Sequence, residues 1–551
     1  MKVNFRISPT SAQISLKLIF LGLFFLFCIN FRHVPSKSVD FDQLAEQVMV
    51  RFVHYKFKIK MQPRSNQAEI TARAWLNITV PETRSFHFTL ANSYVKKIKS
   101  LTVNGVGVKY QQQADIYLIY LPRTYQAGEK LELVLKYQLE SKNCTRQVQM
   151  ELNGNWYPRN FLPELVTADF EIAVNQGQVG IANGHLTKKV TQKHQTRYCW
   201  KMKRPLSMLG VTIGNYRMRS YQCFKTTYYI FTVPVVKHQI IQQLRDWAVV
   251  INEYYLKSFG GKRYNELVIV LNDTKGEDNA FGSLLFLHLA SKNHSLLYRL
   301  AHEMAHYWWG NLIIPKSQRD WWLVEGFANY SALLISELDL DKVNNLEKNL
   351  TATKILAKWR SEYQQTLTNM HNCQMPEMSL AEIGPFDLQR ELLYSKGAFV
   401  LYMIRSVIGE ANFEQYLKEF VQNYQYRSAG VRDFTSLGGE LFGARVVDFF
   451  RQWVFSVGIY NLALGEIQVV PVKEEYMVSM EIENIGQLYL PEQIDLTIIT
   501  KKKTFVEVLA FQGVSVTIQK LLPEKPEQII VNGKNVIIEP FLADNTWKNE
   551  E

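Results

Sequence analysis

The tightest constraint on this chain is the run His302-Glu303-Met304-Ala305-His306, followed after eighteen residues by Glu325. At 3.6 residues per turn, His302 and His306 lie one turn apart on one helical face, so two imidazoles can reach one metal ion with Glu303 beside them. A catalytic zinc takes three protein ligands and leaves a fourth position to water, and a carboxylate from a second helix can supply the third. Glu325 is that candidate. It sits in an apolar-periodic run over 321–334 that reads as a helix able to fold back on the first. Any fold for this chain must therefore pack two helices so that three ligand atoms converge between them.

The flanks narrow the reading further. Tyr307-Trp308-Trp309-Gly310-Asn311-Leu312 follows the second histidine, and Glu325 is embedded in Asp320-Trp321-Trp322-Leu323-Val324-Glu325-Gly326-Phe327-Ala328. Together these segments resemble the gluzincin signature of the aminopeptidase N family of zinc metallopeptidases. Tyr394-Ser395-Lys396-Gly397-Ala398, on a helix expected over 389–408, is similar to the family's Tyr-x-Lys-Gly segment. The resemblance implies a multidomain α+β protein: an N-terminal β domain, a thermolysin-like, mainly helical zinc catalytic domain and a small C-terminal β-sandwich. It also implies a shortened member that lacks the C-terminal helical domain of larger relatives. One Zn2+ per chain would be held by His302, His306 and Glu325, with Glu303 as general base and Tyr394 stabilising the tetrahedral intermediate. Asp320 matches an aspartate that flanks the second zinc helix, where it either accepts from a zinc-bound histidine or caps the helix.

One segment departs from the family. Gly276-Glu277-Asp278-Asn279-Ala280-Phe281-Gly282 stands where the family carries G-x-M-E-N, whose glutamate holds the free amino group of the substrate. Matching both glycines puts Asn279 in the place of that glutamate, and asparagine offers an ammonium only a neutral carbonyl oxygen. If the segment is a strand, Glu277 shares a face with Asn279 about 7 Å along it. Glu277 is then a displaced amine anchor, Asp278 points the other way, and a solvated acidic turn is the alternative for both. Three functions follow: an aminopeptidase with altered amine recognition, a zinc endopeptidase or other hydrolase on the same scaffold, and a peptide-binding protein without turnover. Retention of Glu303 and Tyr394 speaks against the last.

The rest of the chain divides around this core. With 551 residues it is too long for a single core. Lys2, Arg6 and Lys17 precede an uncharged apolar run over 18–29, so residues 1–33 read as a signal peptide or signal anchor that leaves the bulk of the chain outside the cytoplasm. A linker covers 34–49. Alternating residues such as Ala68, Ile70, Ala72, Ala74 and Leu76 mark an N-terminal β domain over 50–216. The catalytic domain is expected over 217–460, a β-sandwich over 461–541 and a polar tail over 542–551. The net charge of +12 comes without an arginine-rich helix or nucleic-acid motif, which excludes nucleic acid as a partner and fits an anionic membrane surface or a merely soluble basic face. Peptide is the expected substrate. Of the five cysteines, Cys199 and Cys223 could pair in an oxidising compartment, with free thiols as the default.

Overall fold

The computed structural model describes residues 48–549 apart from 63–64, 143, 264, 292–293, 339–350, 489–492, 512 and 535–536. The expected export segment and nearly all of the linker lie outside the described residues. Among the described residues, no helix is long and apolar enough to cross a membrane.

The first three sheets draw on residues 50–214. The largest has eight strands, with Val50–Met61 and Gln67–Ile78 side by side between Thr167–Asn175 and Lys130–Glu140. Alternation, broken only by a bulge between Phe52 and His54 of the first strand, gives each of these strands one buried face. Ala72 lies opposite Phe57 on one neighbour and Leu135 on the other, and Ala74 opposite Tyr55 and Leu133. All six side chains are buried, so small residues in the middle strand make room for large ones on either side. Trp156 covers this layer, 4.9 Å from the Phe57 ring, with its indole N–H donated to Leu209 O at 2.8 Å.

From residue 217 the pattern changes. Strands Thr226–Thr232, Glu266–Asn272 and Leu284–His288 run parallel, with Arg217–Cys223 and Asn279–Phe281 as antiparallel edges of the same sheet. Residues 267–271 and 284–287 expose nothing, as expected of strands covered on both faces. Parallel neighbours need a crossover, which helix α1 (His238–Phe259) provides between the first two. Then come α2 (Leu296–Ala305), α3 (Trp322–Ser336), α4 (Ala352–Asn372), α5 (Glu391–Ile408), α6 (Glu410–Tyr424), α7 (Val431–Phe442) and α8 (Ala444–Trp453). Helix α3 is enclosed by its neighbours: from 322 to 335 every residue except Glu325 is buried. Its apolar surface on all sides is what packs it between α2 and α5.

Two further sheets follow, one of Leu462–Val472, Glu475–Asn484 and Ser515–Leu522, the other of Thr504–Ala510, Gln493–Thr500, Pro526–Val531 and Thr546–Lys548. The last strand corrects the expected tail. Thr546–Lys548 pairs with Pro526–Val531, and Asn545 is buried, donating to Glu539 Oε1 at 2.8 Å. Three residues carry no periodicity, and their partner strand lies well upstream, so no local pattern announces the pairing. Cys199 and Cys223 are not joined; each is a free thiol.

Candidate active site

Helix α2 starts at Ser295, whose hydroxyl accepts the Tyr298 N–H at 3.2 Å, and ends at Ala305, so that His306 caps its C-terminus. One turn separates the two imidazoles, and both Nε2 atoms face α3. His302 Nε2 and His306 Nε2 are 3.1 Å apart, and each lies 3.5 Å from Glu325 Oε2. Ligands of a tetrahedral zinc at its usual bond lengths stand roughly 3.3–3.6 Å from one another, so this triangle fits the ion. Tautomer chemistry agrees. His306 Nδ1 donates to Trp309 O at 3.1 Å, which leaves the lone pair on Nε2 pointing inward. Burial, helped by His302 and opposed by Glu325, pushes the His306 imidazole down to about 4, so it is neutral, as a ligand must be. Burial would raise the Glu325 carboxyl, but the two histidines and the Trp321 indole, which donates to Oε1 at 3.3 Å, hold it below its ordinary value. Among the described residues, this is the cluster of His, Cys, Asp or Glu able to hold an ion.

The triad lies at the floor of a cleft of about 630 Å³, which is also lined by Glu277, Asn279, Arg299, Glu303, Glu362, Glu391 and Tyr394. Glu303 is buried. Loss of solvent, then the charges of Asp278 and Glu325, push its carboxyl well above the usual range against the pull of Arg299. Tyr394 on α5 has its ring 6.3 Å from that of His302. Burial and the surrounding carboxylates Glu325, Glu391, Glu303 and Glu277 keep its phenol protonated, with a pKa well above the ordinary tyrosine value.

Two glycines bring this tyrosine so near the ligands. A Cβ on Gly326, next to Glu325, would sit 3.0 Å from both Leu393 O and the carbonyl carbon of Gly397, and one on Gly397 would sit 3.3 Å from Gly326 Cα. Helices α3 and α5 thus touch backbone to backbone, one turn from Tyr394. Asn329 ties the same pair together, accepting from Tyr298 on α2 at 2.9 Å and donating to Tyr394 O at 3.1 Å.

Residues 286–453, from the strand before α2 to the end of α8, match the peptidase family M1 domain. Over 401 residues the chain is 22% identical to a probable aminopeptidase 1 from Sulfurisphaera tokodaii, covering 66% of this chain and 48% of that one. It is 21% identical over 483 residues to the puromycin-sensitive aminopeptidase of Caenorhabditis elegans, covering 79% and 49%. Its fold is similar to that of an M1 zinc metallopeptidase from Deinococcus radiodurans solved with Tyr-Ser-Ala substrate bound, with a TM-score of 0.58 and 18% identity over 74% of this chain and 94% of that one. Residues 286–453 thus carry a peptidase family M1 domain, and the chain is similar to members of the aminopeptidase N family. It spans about half the length of these two sequence relatives.

Within this family frame, two expectations are corrected. Asp320 does not orient a histidine. Its Oδ2 accepts from Ser317 N and Oγ, both at 2.8 Å, and its Oδ1 accepts from Val431 N at 2.7 Å, so the carboxylate caps the turn before α3 and anchors the start of α7. His302 Nδ1 is buried without a hydrogen-bond partner among the described residues. The second correction concerns the acidic segment. The edge strand begins at Asn279, so strand alternation does not extend to Glu277, which precedes it. Glu277 is exposed and lines the cleft, and Asn279 Nδ2 donates to its carbonyl at 2.7 Å. Asp278 also lines the cleft and is held by Arg299 and His288. Those two partners escape a reading of the sequence alone, although Arg299 stands one helical turn ahead of His302 and lines the same cleft.

Proposed function

We propose that this chain is a zinc aminopeptidase acting on short peptides, with Glu277 as its amine anchor. The reading is carried by the meeting, in one cleft, of the ligand triad, the buried Glu303, Tyr394 and the exposed carboxylate of Glu277. His302, His306 and Glu325 would hold the ion. A zinc ion there would supply Lewis acidity, polarising the scissile carbonyl and making water acidic enough to ionise near neutral pH. Glu303 takes the proton from the attacking water at its carboxylate oxygen and passes it to the departing amine. The Tyr394 phenol donates to the oxygen of the tetrahedral carbon, where a single such donor is worth about 100-fold or more. Glu277 pairs with the ammonium of the substrate, and the amide of Asn279, held by the Glu277 carbonyl, lies beside it.

The match of residues 286–453 to the peptidase family M1 domain and the tripeptide in the Deinococcus radiodurans structure support a peptide as ligand. An exported protein, released from or held by residues 1–33, is the setting we propose for it. Asn279 at the family's glutamate position favours the second reading, an endopeptidase that ignores the terminus. One peptide in free and N-acetylated forms separates the two. A charge-assisted contact to the ammonium corresponds to about 10- to 100-fold in kcat/KM in favour of the free form. Equal rates remove the aminopeptidase reading.

A further inference from the structure

Under the anchor segment runs a buried chain of four charges. Glu151, on the strand Val148–Leu152 of the N-terminal domain, and His288, at the end of Leu284–His288, have side chains with 0% exposure, and that of Asp278 has 6%. His288 Nε2 lies 3.1 Å from both oxygens of Glu151, and its Nδ1 lies 3.3 Å from Asp278 Oδ1. With a carboxylate on each ring nitrogen, both nitrogens donate and the ring is an imidazolium. Asp278 Oδ1 also accepts the His288 backbone N–H at 2.7 Å, and its Oδ2 accepts from Arg299 Nη1 on α2. Arg299 Nη1 donates in turn to His288 O at 3.1 Å. At the far end, Asn272 and Thr274 donate to Glu151 Oε2.

Negative and positive charges alternate along this chain, so none is buried without compensation. The anchor segment rests directly on it: a Cβ on Gly276 would come within 3.2 Å of His288 Nε2. Asp278 is tied into the chain by His288 and Arg299, and Glu277, its neighbour, is left exposed in the cleft that also holds Asp278, Glu303 and Tyr394. We propose that Asp278 and His288 are positioning residues that set Glu277 against the substrate's ammonium, and that Glu151 ties this setting to the N-terminal β domain. This rests on the reading of Glu277 as the amine anchor.

A double-mutant cycle on the full chain tests it, using E277Q, D278N and E277Q/D278N. The readouts are kcat and KM for a leucyl peptide, and calorimetric affinity for L-leucine and N-acetyl-L-leucine. E277Q is expected to raise KM and weaken leucine binding by about tenfold or more, without changing the affinity for the acetylated amino acid. D278N should reproduce most of this rise in KM and of the loss of leucine affinity, and should add nothing to either once Glu277 is gone. A rise that persists undiminished in the E277Q background, or an unchanged KM in D278N beside a raised one in E277Q, overturns the proposal. If E277Q itself has no effect, the anchor reading falls and the positioning role falls with it. Should D278N not fold, E151Q offers the same test from further away: glutamine still accepts from Asn272 and Thr274 but removes the counter-charge of His288. A smaller rise in KM is then expected, and none counts against the proposal.

Discussion

Replacing Gly326 by alanine tests whether contact between two helix backbones positions Tyr394 for the role proposed for it. The added methyl would lie 3.0 Å from Leu393 O and from the carbonyl carbon of Gly397. Ordinary contacts between such atoms start near 3.5 Å, so α5 must back away from α3 by about half an ångström. Neither atom belongs to a flexible side chain, and overpacking of this kind costs about 1–3 kcal/mol. Tyr394, adjacent to Leu393 and three residues from Gly397, moves with α5, whereas Glu303 on α2 does not. A misplacement of about 1 Å at a reacting centre can cost about 100-fold, so half of that should cost about tenfold in kcat. The assay is kcat and KM on a free-amine peptide, with bound zinc and melting temperature measured alongside, in wild type, G326A, Y394F and the double variant. Zinc content should hold, and G326A should lose most of its effect in the Y394F background. Wild-type turnover in G326A, or an equal loss with and without the phenol, would show that the close approach does not act through Tyr394.

Glu303→Gln should lower turnover by about 100- to 10,000-fold while leaving metal content at one equivalent, whereas His306→Ala should lose the metal itself, both read by metal analysis beside the peptide assay. The buried histidine predicts a pH dependence of stability. Its folded pKa, raised to about 9 by Asp278 and Glu151 against burial, exceeds the ordinary 6.5, so its contribution is complete below about pH 6.5 and is lost as pH rises through about 9. That contribution is on the order of 3 kcal/mol. Denaturant midpoints across this range should fall in the wild type and fall less in His288→Gln; parallel slopes would show that the imidazolium is not what is being titrated.

The metal triad can be read from the sequence because a helix fixes His302 relative to His306 without tertiary information, and because the flanks of Glu325 carry their own pattern. The same holds for the strands around Ala72 and Ala74, whose alternation is local. Other features cannot be read this way, for physical reasons. Asp320 stands three residues after Ser317, a spacing that serves a cap as well as a metal-orienting acceptor, and only the position of Val431 decides between them. His288 looks like the polar end of an apolar strand, while its partner Glu151 is 137 residues away. Asp278 and Glu277 are chemically alike neighbours that both line the cleft, and which one is tied down by His288 and which is left exposed cannot be told from their residue types. The strand at Thr546–Lys548 is too short to announce itself.

The burial of Glu151 bears on how far this protein can be taken apart. The segment with the family signature, 286–453, contains His288 but neither of the carboxylates that neutralise it. Cut out alone, it would expose an apolar strand ending in a cation stripped of its counter-ions. The amino-terminal lobe is therefore not a detachable accessory, and grafting or shuffling residues 286–453 should succeed only when the donor of that acid travels with them.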